Sequence, residues 1–258
     1  MRIFLIGDIV GNGGVEYLRT HLGSIKKLKN IDFVVANAEN STPVGKGISK
    51  EVANTLYSCG VDVMTMGNHT FNNKEIYELF EDNFPVIRPA NMPPMTEGEG
   101  YVISEANGYK IAVISLLGRV FMENMDCPFR TADKIIDIVK DKSDIIIVDI
   151  HAEATSEKLA MGYYLDGKVS VVFGTHTHVQ TADEKILENG TAYITDAGMT
   201  GCHDGVLGVK KEIIIKKFLT SLPQRHETVN DNPVLNGLIV DVDESTGKAT
   251  NVERIQFS

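Results

Sequence analysis

Short apolar runs recur along the chain, separated by stretches whose apolar positions fall three and four residues apart. Arg2 to Ile6, Asp32 to Ala36 and Val61 to Met66 predict strands. Residues 13 to 29 place Val15, Leu18, Leu22, Ile25 and Leu28 at helical spacing, which predicts an amphipathic helix. A shorter helix is expected around Val52 and Leu56, and another over residues 73 to 80. Ile111 to Leu116 and Ile145 to Ile150 are continuous apolar runs, the form of strands buried on both faces, and Val169 to Phe173 and Ala192 to Thr195 repeat it. The alternation predicts the α/β class, a mostly parallel or mixed sheet covered by helices.

From about residue 206 the pattern changes. Ile213 to Ile215, Gly237 to Val242 and Val252 to Phe257 read as antiparallel strands closing a second sheet. The polar stretch Asp243 to Lys248, with its glycine, reads as a hairpin turn. No repeat, low-complexity tract or linker divides the chain, so residues 1–258 are read as one domain.

Apolar residues make up 43% of the chain, enough for a sizeable core. With 25 Lys and Arg against 35 Asp and Glu the formal net charge is -10, which disfavours charge-driven binding to nucleic acid or anionic membrane. It leaves a phosphate substrate open, because bound metal cations reverse the local field. No apolar run reaches the ~18 residues that a membrane span requires. Met1 to Gly7 reads as a first strand and not a signal peptide. Cys59, Cys127 and Cys202 are odd in number and far apart, which fits a reducing compartment, and the cytoplasm is the expected location.

The polar residues at the strand ends carry the chemistry. Asp8 follows RIFLIG, Glu39 and Asn40 follow DFVVANA, and Asn68 and His69 follow VDVMTMG. His151 follows IIIVDI, and His176 and His178 follow VSVVFGT. In open α/β sheets functional groups collect beyond the carboxyl ends of the strands, so adjacent strands would bring these eight residues into one cleft. Singly, each has an ordinary explanation as a turn residue, a helix cap or a satisfied core histidine. Jointly, a metal site explains them all. The donors are carboxylate, amide and imidazole with no thiolate, which suits Mn, Fe or Zn, and they are numerous enough for two ions sharing a bridging carboxylate. His21, His203 and His226 lack this placement. His21 is read as a surface residue of the first helix, and Cys202 with His203 as part of a loop. The acidic segments around Glu97 to Glu99 and Glu123 to Asp126 are also read as loops.

These motifs resemble the blocks of the calcineurin-like metallophosphoesterases, in the same order. Two departures, Val10 where that superfamily has His and Ala38-Glu39-Asn40 where it has Gly-Asp, are shared by its YmdB-type phosphodiesterases. GDIVG at 7–11, NAEN at 37–40, GKG at 45–47, MGNHT at 66–70 and RPAN at 88–91 fit that family. So do HAEATSEK at 151–158, GTHTHVQTAD at 174–183 and ITDAGMTG at 194–201. The resemblance implies a four-layer sandwich, two mixed sheets flanked by helices. It implies hydrolysis of phosphodiesters, 2′,3′-cyclic nucleotides among them, at a di-iron or di-manganese centre. Asp8, Glu39, Asn40 and His178 would hold the first metal. Glu39 would bridge to a second metal held by Asn68, His151 and His176. A hydroxide between the ions would attack phosphorus, and His69 would be the general acid that protonates the leaving oxygen. The alternatives are a phosphatase or nuclease on the same site, or a nucleotide-binding regulatory protein. RNA is a less favoured substrate, no membrane partner is expected, and a homo-oligomer is left open.

Overall fold

Period-two alternation within the apolar strands decides the layering, because successive side chains point to opposite faces of a sheet. The computed structural model describes residues 1–258. The first part of the chain supplies β1 (Arg2–Ile6), β2 (Asp8–Ile9), α1 (Gly11–Lys29), β3 (Phe33–Asn37), α2 (Lys50–Cys59), β4 (Val63–Thr65), α3 (Ile76–Glu81) and β5 (Val86–Ile87). The middle supplies β6 (Tyr101–Ala106), β7 (Tyr109–Leu117), α4 (Pro128–Val139), β8 (Ile145–His151), α5 (Thr155–Leu165), β9 (Val171–Thr175), β10 (Lys185–Ile186) and β11 (Ala192–Ile194). The remainder supplies β12 (Met199–Cys202), α6 (Lys211–Thr220), β13 (Pro233–Asp243) and β14 (Lys248–Phe257).

These strands form two mixed sheets. The eight-stranded sheet runs β2-β12-β13-β1-β3-β4-β5, with β14 on β13, and the six-stranded sheet runs β10-β11-β9-β8-β7-β6. On β1, Ile3 and Leu5 face the second sheet while Phe4 and Ile6 face α1 and α2. On β8, Ile145 and Ile147 face the first sheet while Ile146 and Val148 face α4 and α5. Three apolar layers follow: helices α1 to α3 on the first sheet, sheet on sheet, and helices α4 and α5 on the second sheet. The α/β four-layer sandwich is therefore present. Each fully buried Ile, Leu or Phe in these layers stabilises the fold by roughly 1.5–3 kcal/mol relative to exposure.

Local signals set the element ends. Asn30 closes α1 in the left-handed conformation at φ 54°, and Lys26, Lys27 and Lys29 oppose the negative end of the helix dipole. Ser49 caps α2 by accepting a hydrogen bond from the Val52 amide.

Three expectations are corrected. Ile213 to Ile215 lie in α6 and not in a strand. The segment buries no residue, unlike the apolar strands of the two sheets, and Glu212, Lys216 and Lys217 favour a helix. Gly237 to Val242 and Val252 to Phe257 do form an antiparallel pair, but they extend the first sheet. β13 lies between β1 and β12, where Leu238, Val240 and Val242 continue the inter-sheet layer. Cys202 is the buried last residue of β12 and not part of a loop, whereas His203 is exposed in the turn beyond it. No helix is long and apolar enough to cross a membrane.

Candidate metal centre

The inter-sheet faces are apolar until the carboxyl ends of the strands and then turn polar at the same parity. Phe33 and Val35 are followed on that face by Asn37, Val63 by Thr65, and Val171 and Phe173 by Thr175. On β8, Ile145 and Ile147 are followed by Asp149 and His151. All five polar residues are fully buried. The Asp149 carboxylate accepts hydrogen bonds from Thr65 Oγ1 (2.5 Å), Thr175 Oγ1 (2.7 Å) and Asn37 Nδ2 (3.1 Å). Because the Thr175 hydroxyl donates to Asp149, its oxygen accepts from His151 Nδ1 at 2.9 Å. That fixes the His151 ring and turns Nε2 toward the strand tips.

Three acceptors converge on that nitrogen. Glu39 Oε1 lies at 3.0 Å, His176 Nδ1 at 3.0 Å and Asn68 Oδ1 at 3.1 Å. The donor atoms of Glu39, His151 and His176 all lie within 4.8 Å of one another. The other Glu39 oxygen accepts from the His69 amide at 2.8 Å, so the two oxygens of this carboxylate face different groups. Gly67 makes room for them. A Cβ there would stand 2.3 Å from the His151 ring and 2.5 Å from Glu39 Oε2.

Asp8, Asn40 and His178 complete the cluster. His178 Nε2 lies 3.3 Å from Asn40 Oδ1 and 3.8 Å from Asp8 Oδ1. Asp8 Oδ2 accepts from the His176 amide at 2.9 Å, but Asp8 Oδ1 is buried with no hydrogen-bond partner. A buried unpaired carboxylate oxygen is costly unless a cation faces it. All seven strand-end donors therefore meet in one place, four from the first sheet's strand ends and three from the second's. Glu39, Asn40, His176 and His178 line a cavity of about 450 Å³, and His69 lines it beside them. His226 also lines it, whereas the exposed His21 and His203 do not.

The charges compete for protons. Burial raises the Asp8 carboxyl to a pKa of about 6, against the pull of His178 and His151. Burial also opposes charge on Glu39, but the attraction and hydrogen bond of His151, with His69, bring it down to about 2. Burial works against charge on His151 as well, yet Glu39, Asp8 and Asp149 outweigh it and push this imidazole up to about 9. His176 is brought down to about 3 by burial and by its neighbour His151. In the metal-free chain at neutral pH one imidazolium thus stands among carboxylates, where a metal cation would balance them instead.

The histidine loop is held in an unusual backbone. His176 and His178 have φ of 97° and 64°, a region that residues other than glycine rarely adopt. Asp196 secures the loop by accepting from the Thr177 amide (3.1 Å) and hydroxyl (2.7 Å). The same carboxylate pairs with Lys158 Nζ at 2.6 Å, both side chains being 1% exposed. Asn37, Asp149, Lys158, Thr175 and Asp196 are absent from the strand-end pattern. For Asn37 and Asp149 a signal was present, a polar residue at inward parity inside an apolar strand. Lys158 and Asp196 stood out only as members of the motifs HAEATSEK and ITDAGMTG, which gave them no role of their own.

Fold and donor set together define a metallophosphoesterase. The chain belongs to the YmdB-like family, whose profile matches residues 4–255. A Bacillus subtilis (strain 168) protein named 2′,3′-cyclic-nucleotide 2′-phosphodiesterase is 46% identical over 255 residues, 99% of this chain and 96% of that protein. A crystal structure of a hypothetical protein from Thermus thermophilus is similar at a TM-score of 0.94 and 37% identity, covering 100% of this chain and 99% of that one. A Mycoplasma pneumoniae crystal structure described as a novel phosphatase is similar at a TM-score of 0.93 and 35% identity, covering 100% and 93%.

Removing one partner of the buried Lys158–Asp196 pair leaves an uncompensated charge. Asp196→Ala should therefore destabilise the fold by about 3–5 kcal/mol in urea unfolding. The double variant Lys158→Met/Asp196→Ala should recover much of that loss. Equal stability of Asp196→Ala and the parent would show that the pair holds nothing.

Proposed function

We propose that this chain is a metal-dependent phosphodiesterase acting on 2′,3′-cyclic nucleotides. The observation that supports it best is the convergence of Glu39, Asn68 and His176 on His151 Nε2, because one proton satisfies one acceptor whereas a cation serves all four donors. On this reading Asp8, Glu39, Asn40 and His178 would hold one transition-metal ion, and Glu39, Asn68, His151 and His176 would hold a second. Oxygen and imidazole donors without thiolate suit Fe or Mn. Such ions, when bound, acidify a water molecule and neutralise charge on the phosphoryl oxygens.

The chain's own residues supply the rest. Glu153 Oε2 lies 3.2 Å from His176 Nε2, which leaves Nδ1, beside His151, as the atom that would face a metal. His69 Nδ1 donates to Asn72 Oδ1 at 2.8 Å, which orients the ring and frees Nε2 to protonate the leaving oxygen. Attack by water on a 2′,3′-cyclic phosphate breaks one P–O bond. The leaving ribose oxygen is a basic alkoxide that needs that proton. The name of the 46% identical Bacillus subtilis relative supports the substrate class. A phosphomonoesterase is the second reading, favoured by the description of the Mycoplasma pneumoniae structure.

Purified protein with Mn(II) should open 2′,3′-cyclic AMP and lose that activity on chelation. Turnover of monoesters alone would establish the second reading. His69→Ala should keep its metal yet lose roughly 10²–10⁴-fold in rate on substrates with alkoxide leaving groups. The loss should shrink on bis-p-nitrophenyl phosphate, and equal losses on both would remove His69 from the acid role.

Metal must displace the proton that His151 holds up to about pH 9. Apparent metal affinity should therefore rise with pH, by about tenfold per unit where one proton is released per ion, and level off above that value. Calorimetric titration of the metal-free protein in buffers of different ionisation enthalpy measures the proton release. A pH-independent affinity would contradict it.

A further inference from the structure

The cavity lined by Glu39, Asn40, His176 and His178 is also lined by groups whose charge is opposite to that of the chain. Lys46, Lys217 and His226 line it, in a protein of formal net charge -10. The only carboxylates in its wall are Glu39 and Glu153, and each already faces a histidine, His151 and His176 respectively. Neither lysine takes part in any ion pair of the chain. Burial works against protonation of His226, and the nearby Lys46, Lys217 and His69 add to that effect. Unpaired cations facing a cavity beside a phosphoester site match an anion that is absent from the protein itself.

This wall is built from anchored backbone. The Lys46 amide donates to Thr42 Oγ1 at 3.1 Å, and the Thr42 hydroxyl donates to the Lys46 carbonyl at 2.7 Å. The same loop is tied to the donor segment, since Asn40 Nδ2 donates to the Gly45 carbonyl at 2.9 Å and the Gly47 amide to the Glu39 carbonyl at 2.5 Å. On the opposite side His178 Nδ1 donates to the Leu207 carbonyl at 3.2 Å, which joins the segment leading into α6 to the candidate metal centre. Lys217 lies in the last turn of α6, and its neighbour Phe218 lines the cavity while remaining 81% exposed. An exposed aromatic ring beside cations is a surface on which a nucleobase stacks.

We propose that Lys46 and Lys217 form a second-phosphate subsite, with Phe218 as the stacking surface for the base. The preferred substrate then carries a further phosphate besides the 2′,3′-cyclic diester. This rests on the phosphodiesterase reading above. The shared chemistry is a nucleoside cyclic phosphate with a phosphoryl group on its 5′ oxygen. That group is either a terminal monoester or the last internucleotide link of an oligonucleotide.

The experiment compares kcat/KM of the metal-loaded enzyme on three substrates. They are adenosine 2′,3′-cyclic phosphate, the same compound with a 5′-phosphate, and the dinucleotide ApA ending in a 2′,3′-cyclic phosphate. Two ammonium–phosphate contacts should favour at least one of the last two by about tenfold. Preference for the 5′-phosphate alone assigns the mononucleotide, and preference for the dinucleotide assigns the oligonucleotide end. The preference should disappear in Lys46→Gln/Lys217→Gln and persist in Lys46→Arg/Lys217→Arg. Calorimetry on the parent should likewise show tighter binding of adenosine 3′,5′-bisphosphate than of adenosine 3′-monophosphate. Equal kcat/KM on all three substrates, or a preference that survives in the glutamine variant, overturns the subsite. If no diester is hydrolysed but the bisphosphate still binds more tightly through these lysines, the phosphodiesterase reading fails and the subsite stands.

Discussion

Between the two sheets the buried Asp149 carboxylate accepts three hydrogen bonds, and two of their donors, Asn37 and Thr65, belong to the opposite sheet. A carboxylate taken out of water must find such partners, and here it finds them only when the sheets stack in one register. The same network orients Thr175, and through it the ring of His151. The relative position of the sheets, the orientation of one histidine ring and the direction of its Nε2 are thus consequences of a single buried carboxylate. Asp149→Asn would keep the shape but replace one acceptor oxygen with a donor, so one of the threonine hydroxyls would have to turn away.

Much of this was legible in the sequence, for a simple reason. Strands that are apolar on both faces have little tolerance for Asp, His or Asn, so those residues stand out where the strands end. Asp8, Glu39, Asn40, Asn68, His151, His176 and His178 were visible in this way, and the structure brings them together. Helix α1 was equally visible, because its buried face is made of aliphatic residues at regular spacing. Helix α5 was not. Its buried residues include Glu157 and Lys158, so charge in the sequence disguises the interior face. In α6 the three consecutive isoleucines imitate a buried strand, although the helix they belong to buries none of them. Asp196 stood out only within the motif ITDAGMTG, and its role was not legible because it lies in what the carboxylate accepts from Thr177 and Lys158, distant in sequence and adjacent in space.

The strained loop at His176 and His178 illustrates where a fold tolerates local discord. A backbone with φ of 97° at a histidine is unfavourable alone. It persists because Asp196 grips Thr177 from one side and Asp8 accepts the His176 amide from the other. Gly174, at the end of β9, permits the approach, since a Cβ there would stand 1.8 Å from the Thr195 carbonyl oxygen. The cost of the conformation is carried by buried polar partners, and the gain is that imidazoles two residues apart both face the same cluster.

The topology of the first sheet also bears on how the protein is made. Arg2 on β1 pairs with Asp241 on β13, and Asp8 on β2 pairs with Met199 on β12. At translation rates of roughly 5–20 residues per second, β1 leaves the ribosome tens of seconds before the strand that will cover its edge. Throughout that interval an apolar edge is open to pairing with another nascent chain. A ribosome that stalls after Thr220 has already delivered every donor of the cluster. It has not delivered the strand that bridges β1 to β12, on which the alignment of Asp8 with the histidines depends.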